Sequence, residues 1–156
     1  MYADIGTAEE LAFRPEHYFL GATEGNGLLR DPFGRVTRRC RVSTRGQRDS
    51  AYGAVRLEET YAFDDGEVEA LRWVITGAGP GRYVLAEATA GSGIVADFSG
   101  GDLVFAYYRA PPNSLIKARL AVRMTLIAPR VVLKTARISI FGAPMGGLTV
   151  LHRRAS

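Results

Sequence analysis

Residues 54–76 read AVRLEETYAFDDGEVEALRWVIT, two runs of alternating side chains around Asp64-Asp65-Gly66. In the first run the odd positions are Val55, Leu57, Glu59, Tyr61 and Phe63. The even positions are Ala54, Arg56, Glu58, Thr60 and Ala62. An extended chain points successive side chains to opposite faces, so the odd face is the buried one. An Asp-Gly pair between two such runs is a strong hairpin signal, because its turn needs residues that tolerate positive φ. A hairpin centred on Asp65 sets Glu59 opposite Leu71 and carries Trp73 along the same inner face.

The same pattern recurs outward from this hairpin. Toward the N-terminus it predicts strands over 18–30, with glycines at 21, 25 and 27, and over 35–44 after the turn Asp31-Pro32-Phe33-Gly34. The hairpin strands themselves span 53–63 and 68–76. Beyond them come strands over 82–88, 93–98, 103–109, 116–126, 131–141 and 146–153, separated by Gly- and Pro-rich turns. Helical signals are confined to Thr7-Ala8-Glu9-Glu10, a capping-box pattern that predicts a short helical turn over 7–11 within an N-terminal extension of residues 1–17. About ten short antiparallel strands, with no segment long enough for a parallel crossover helix, must expose two edges or close. The expected fold is therefore all-β, one domain over 1–156, a meander closing into a lipocalin-like barrel, with a sandwich as the alternative. A barrel of that size is wide enough to enclose a small ligand.

Composition agrees with a packed domain. The 156 residues are 47% hydrophobic and 23% charged, which excludes a disordered chain. The 18 glycines are spread along the sequence, as many tight turns require. A net charge of +4 steers partners only weakly. The basic run from Arg35 to Arg48 reads either as a phosphate or membrane-surface patch or, more simply, as a solvated strand face. Cys40 is the single cysteine, so no intrachain disulfide forms. No apolar run reaches the roughly 20 residues of a membrane helix. The start of the chain lacks a signal-peptide pattern, so it reads as cytoplasmic, or as an envelope protein if an export signal has been removed.

Glu59 is the anomaly on the buried face. An unpaired carboxylate there costs several kcal/mol, of the order set by transfer of a polar group from water, or becomes neutral. Arg38 is the inward exception on the face formed by Val36, Cys40 and Val42, and a loop centred near residues 47–49 would set it opposite Glu59. An Arg38–Glu59 ion pair beside Tyr61 and Trp73 is the expectation, read either as a register-fixing salt bridge or as the polar part of a ligand site. Tyr83, Phe105 and Tyr107 are the other inward aromatics, which fit a plain core equally well. Arg119 and Arg123 alternate against Leu120, Val122 and Met124 and so face water.

Familiar chemistry is not visible. His17, His152 and Cys40 form no zinc-binding spacing, and no metal or other cofactor is expected. Gly77 to Gly81 lacks the Lys-Ser/Thr of a phosphate loop, and no Gly-x-Ser-x-Gly elbow occurs. Arg39 and Arg41 are flanked by Thr37 and Ser43 where single-strand nucleic-acid binding would want aromatics, so no nucleic-acid partner is expected.

The run Phe13-Arg14-Pro15-Glu16-His17-Tyr18-Phe19-Leu20-Gly21, then 31–39, 57–67, Trp73, 136–142 and 148–151, resembles a family of uncharacterised proteobacterial lipoproteins, domain of unknown function 3833. The resemblance implies a lipocalin-like barrel, usually in an envelope lipoprotein, with no established activity. The chain departs from the family pattern at Leu71, where an arginine is expected. It departs again at Lys134 and Ile140, where an asparagine and a lysine are expected, and the lipid-attachment cysteine is missing. Three readings follow. The first is a non-enzymatic protein binding a small hydrophobic or amphipathic ligand through Arg38, Glu59, Tyr61, Trp73, Tyr83 and Tyr107. The second is a cofactor-free isomerase or cyclase with Glu59 as acid or base. The third is a filled barrel with a structural or interaction role. Interior volume separates the third from the others.

Overall fold

A computed structural model of the protein describes residues 12–49, 53–110 and 114–155. One short helix, α1 (Pro15–Tyr18), precedes ten strands: β1 (Gly21–Arg30), β2 (Val36–Asp49), β3 (Ala54–Phe63), β4 (Val68–Gly77), β5 (Arg82–Glu87), β6 (Gly91–Ser99), β7 (Asp102–Arg109), β8 (Ala118–Ala128), β9 (Val131–Ile140) and β10 (Ala143–Arg154). Every neighbouring pair is antiparallel, and β1 pairs with β10, which closes the sheet. The barrel expected from alternation and turn chemistry is the one formed. The sandwich is excluded, because all ten strands belong to one closed sheet.

The inner face follows the period of two. It carries Cys40, Val42 and Thr44 on β2, then Leu57, Glu59 and Tyr61 on β3 and Leu71, Trp73 and Ile75 on β4, all buried. The β3–β4 register sets Glu59 opposite Leu71 and Leu57 opposite Trp73, as the Asp64-Asp65-Gly66 turn requires. Arg123 faces outward and pairs with Asp102 at 2.8 Å.

The capping-box stretch 7–11 lies outside the described residues. The helix seen is the next segment, begun by Pro15, whose fixed φ suits the first helical turn. It plugs one end of the barrel. Phe13, Tyr18 and Phe19 pack edge to face there. The Tyr18 hydroxyl is shared between the carbonyl oxygens of Arg130 and His152, each at 3.2 Å. Tyr83 donates to the Glu16 carboxylate at 2.6 Å. Gly46 makes room for this plug, since a Cβ at that position would overlap the carbonyl oxygen of Phe19.

At the other end the rim is uneven. The β5–β6 hairpin turns at Glu87 and Gly91, level with Trp73, so β4 has no ladder partner above that height on this side. Glu87 holds the low turn, accepting from Thr89 and Ala90 at 2.6–2.7 Å. Above the notch Arg109 on β7 reaches Glu69 on β4 at 3.3 Å.

Candidate functional site

The barrel has a filled half and an open half. Around the plug the lumen is packed by Phe19, Leu57, Trp73, Ile75, Leu103 and Phe105, leaving a void of about 20 Å³. Toward the rim a cavity of about 730 Å³ opens to solvent. Leu29, Phe63, Leu71, Leu120, Ile138 and Leu148 make its apolar wall, joined by the buried Tyr61 and Tyr107. Arg38, Glu67, Glu69 and Arg109 supply its charges at the mouth.

Directly beneath lies a polar layer. Lys134 Nζ stands 3.2 Å from Glu59 Oε2 and donates to the Tyr61 hydroxyl at 2.8 Å. Trp73 Nε1 donates to Glu59 Oε1 at 3.4 Å. Burial pushes the Glu59 carboxyl up, but the Lys134 ammonium and the hydrogen bonds it receives outweigh this and hold it below the usual glutamate range. Burial raises the Tyr61 hydroxyl well above the ordinary value, and the Glu59 charge raises it further. Tyr107 is raised by the same two causes. Both phenols therefore stay protonated at the cup floor, and Tyr61 touches cup and ion pair together.

A second polar group continues the layer. Thr23 and Thr44 hydroxyls hydrogen-bond to each other at 2.5 Å, and Thr23 Oγ1 lies 3.5 Å from His152 Nδ1. His152 is fully buried, and its Nε2 has no hydrogen-bond partner among the described residues. Burial lowers its pKa to about 4, helped by the Lys134 charge and opposed by Glu59. Among the described residues no group of three His, Cys, Asp or Glu side chains stands together as a metal site.

The expected Arg38–Glu59 pair does not form. The strand β2 continues to Asp49 and pairs with β3 so that Thr44, not Arg38, faces Glu59. The loop centre expected near residues 47–49 moves three residues along the chain. Arg38 is carried up to the rim, where it contacts Asp65 at 2.9 Å and Glu67 at 3.3 Å and lies over the Phe63 ring at 3.6 Å. The partner of Glu59 is Lys134, which came forward in the sequence only as a departure from a family pattern. Both faces of β9 are apolar, Val131 and Leu133 against Val132 and Ala136, so alternation alone does not single out Lys134 as inward.

Of the six residues expected to meet a ligand, the structure gathers Arg38, Tyr61 and Tyr107 on the cup. Glu59 and Trp73 sit one layer below, walling the residual void of the filled half. Tyr83 stands at the plugged end against Glu16. The rim pair Arg109–Glu69 was not anticipated. Its signal was present, since both residues extend an inward odd series, Phe105-Tyr107-Arg109 and Glu69-Leu71-Trp73.

Solved structures share this architecture. The S-type phycobiliprotein lyase of Guillardia theta superposes with a TM-score of 0.68 at 11% identity, over 95% of this chain and 96% of that one. A protein of unknown function from the DUF3598 family of Nostoc punctiforme superposes with a TM-score of 0.64 at 15% identity, over 96% of this chain and 53% of that one. At these identities the likeness is one of fold. No curated protein matches the chain in sequence. The family model described as "Protein of unknown function (DUF3833)" matches residues 3–154, almost the full length, and the protein therefore belongs to the DUF3833 family.

Proposed function

We propose that the open half of the barrel binds one small amphipathic molecule. Its apolar part lies against Leu71, Leu120, Ile138 and Leu148, and its polar end is oriented by Arg38 at the mouth. The observation that carries this reading is the cavity of about 730 Å³, within the range of ligand pockets and walled mainly by apolar side chains with a few convergent polar groups. Its apolar wall is hydrated while the cup is empty, so covering that wall with the apolar part of a ligand is favourable. Glu59 acts here at one remove, by fixing Lys134 and through it the Tyr61 hydroxyl.

Titration with anilinonaphthalene sulfonate, an amphipathic anion, tests the reading through its emission on binding. One saturable site is expected. Ile138→Trp, which fills the cup, should weaken it by about tenfold or more, equivalent to 1.4 kcal/mol. Folding of the variant is checked by near-ultraviolet circular dichroism. A correctly folded Ile138→Trp protein with unchanged dye affinity removes the proposal.

A further inference from the structure

The open end of the barrel carries most of the exposed bulky apolar side chains among the described residues. Phe33 at the β1–β2 turn is 83% exposed, Leu115 before β8 is 100% exposed and Phe141 at the β9–β10 turn is 94% exposed. Val68, Ile116 and Met145 extend the group at the same end. The connections bearing Phe33, Phe141 and Leu115 are consecutive around the barrel, so these three residues fall on one arc of the rim. Away from the open end the exposed ones are Val74 and Val95 on the barrel wall and Ile127 near the plugged end.

Packing within the chain does not explain this display. Phe141 has a φ of 48°, the one positive value among described non-glycine residues, and Gly142 follows at 80°. Such a turn favours Asn-Gly, and a bulky aromatic in the left-handed region is disfavoured on both steric and solvation grounds. An outlier of this kind, held at a tip in water, points to an interaction outside the molecule.

Charge selects the partner. Phe33 sits between Arg30 and Arg35, with the Arg35 guanidinium 5.5 Å from its ring. Leu115-Ile116 leads into Lys117 and Arg119, both exposed. On the arc that bears the apolar tips Arg30, Arg35, Lys117 and Arg119 stand with one carboxylate, Asp31 beside Arg35, while Asp64, Asp65 and Glu67 lie at the β3–β4 turn with Arg38 and Glu69 pairs with Arg109. That arc is therefore cationic, with four basic groups against one acid. A second copy seated arc to arc would bring two cationic surfaces together, which is unfavourable. An anionic bilayer offers the complement, with acyl chains for the apolar tips and phosphates for the basic flanks.

We propose that the protein docks its open rim on an anionic lipid bilayer, seating Phe33, Leu115 and Phe141 in the interface so that the cup mouth faces the membrane. This surface is distinct from the cup wall and does not depend on what the cup holds.

Co-sedimentation with vesicles of phosphatidylcholine, with and without phosphatidylglycerol as roughly a third of the lipid, tests it. The full chain should partition at least about tenfold more strongly into the anionic vesicles, and less so as salt rises. The variant Phe33→Ser/Leu115→Ser/Phe141→Asn should lose about tenfold or more of that binding. Asparagine suits the left-handed turn, so this variant should melt no lower than the parent, which separates loss of docking from loss of fold. Ile138→Trp should still bind vesicles, so failure of the cup reading and failure of docking are distinguishable. The proposal is overturned if the parent chain ignores both vesicles, if the folded triple variant binds as well as the parent, or if the substitutions abolish self-association and leave vesicle binding unchanged.

Discussion

Lys134 on β9 and Glu59 on β3 meet across the lumen at 3.2 Å, with side chains only 3% and 4% exposed, although β10, β1 and β2 lie between their strands on the shorter way around the barrel. The contact ties together walls 75 residues apart in sequence. It also marks the boundary between the filled half and the cup. Desolvating two charges is costly, and their attraction with the surrounding hydrogen bonds offsets that cost only while both are present.

Removing one partner should therefore be far worse than removing both. Lys134→Met or Glu59→Gln alone is expected to cost about 3–5 kcal/mol in chemical denaturation. The double variant should recover at least half of the larger single loss. Additive losses in the double-mutant cycle would show that the pair is not coupled.

Acid should destabilise the protein in two steps. The His152 imidazole is held neutral, its pKa lowered from 6.5 to about 4, so the unfolded chain takes up its proton first. Its contribution is complete above pH 6.5 and is lost as pH falls toward 4, amounting to roughly 3 kcal/mol at 1.36 kcal/mol per unit. Glu59, depressed below 4.5, adds a loss at lower pH as its carboxylate is forced to protonate. His152→Gln should flatten the stability profile between pH 6.5 and 4. A variant with the parental slope there would assign the acid sensitivity to other groups.

Gly46→Ala addresses the plug. The new methyl group would overlap the Phe19 carbonyl, so either α1 or β2 must shift. A loss of about 2 kcal/mol is expected, in the range for overpacked sites. Faster proteolysis within residues 12–20 should accompany it. A melting temperature equal to the parent's would mean that the plug is loosely seated.

Arg38→Ala tests the corrected register. Its partners Asp65 and Glu67 lie at the exposed rim, where ion pairs contribute little to stability. The unfolding midpoint should stay close to the parental value, while dye affinity for the cup falls several-fold. A collapse in stability comparable to that of Lys134→Met would place Arg38 in the buried layer after all.

The hairpin at Asp64-Asp65-Gly66 was fully legible, including the Glu59–Leu71 register, because turn chemistry and a period of two act over a few residues. The β2–β3 connection was not. Gly46-Gln47-Arg48-Asp49 reads as a polar loop, yet it continues the strand because Gly46 must pass beneath Phe19, a residue 27 positions earlier in the chain.

From local rules alone, then, the chain specifies its strands, their hands-in and hands-out faces and an inward acid at position 59. Which cation reaches that acid was decided by closure of β1 on β10, which curls β9 round to face β3. Cross-lumen neighbours are set by the strand number and curvature of the finished barrel, and no stretch of sequence encodes these locally. The same closure determined that one half is packed and the other open, since that depends on where the N-terminal plug comes to rest.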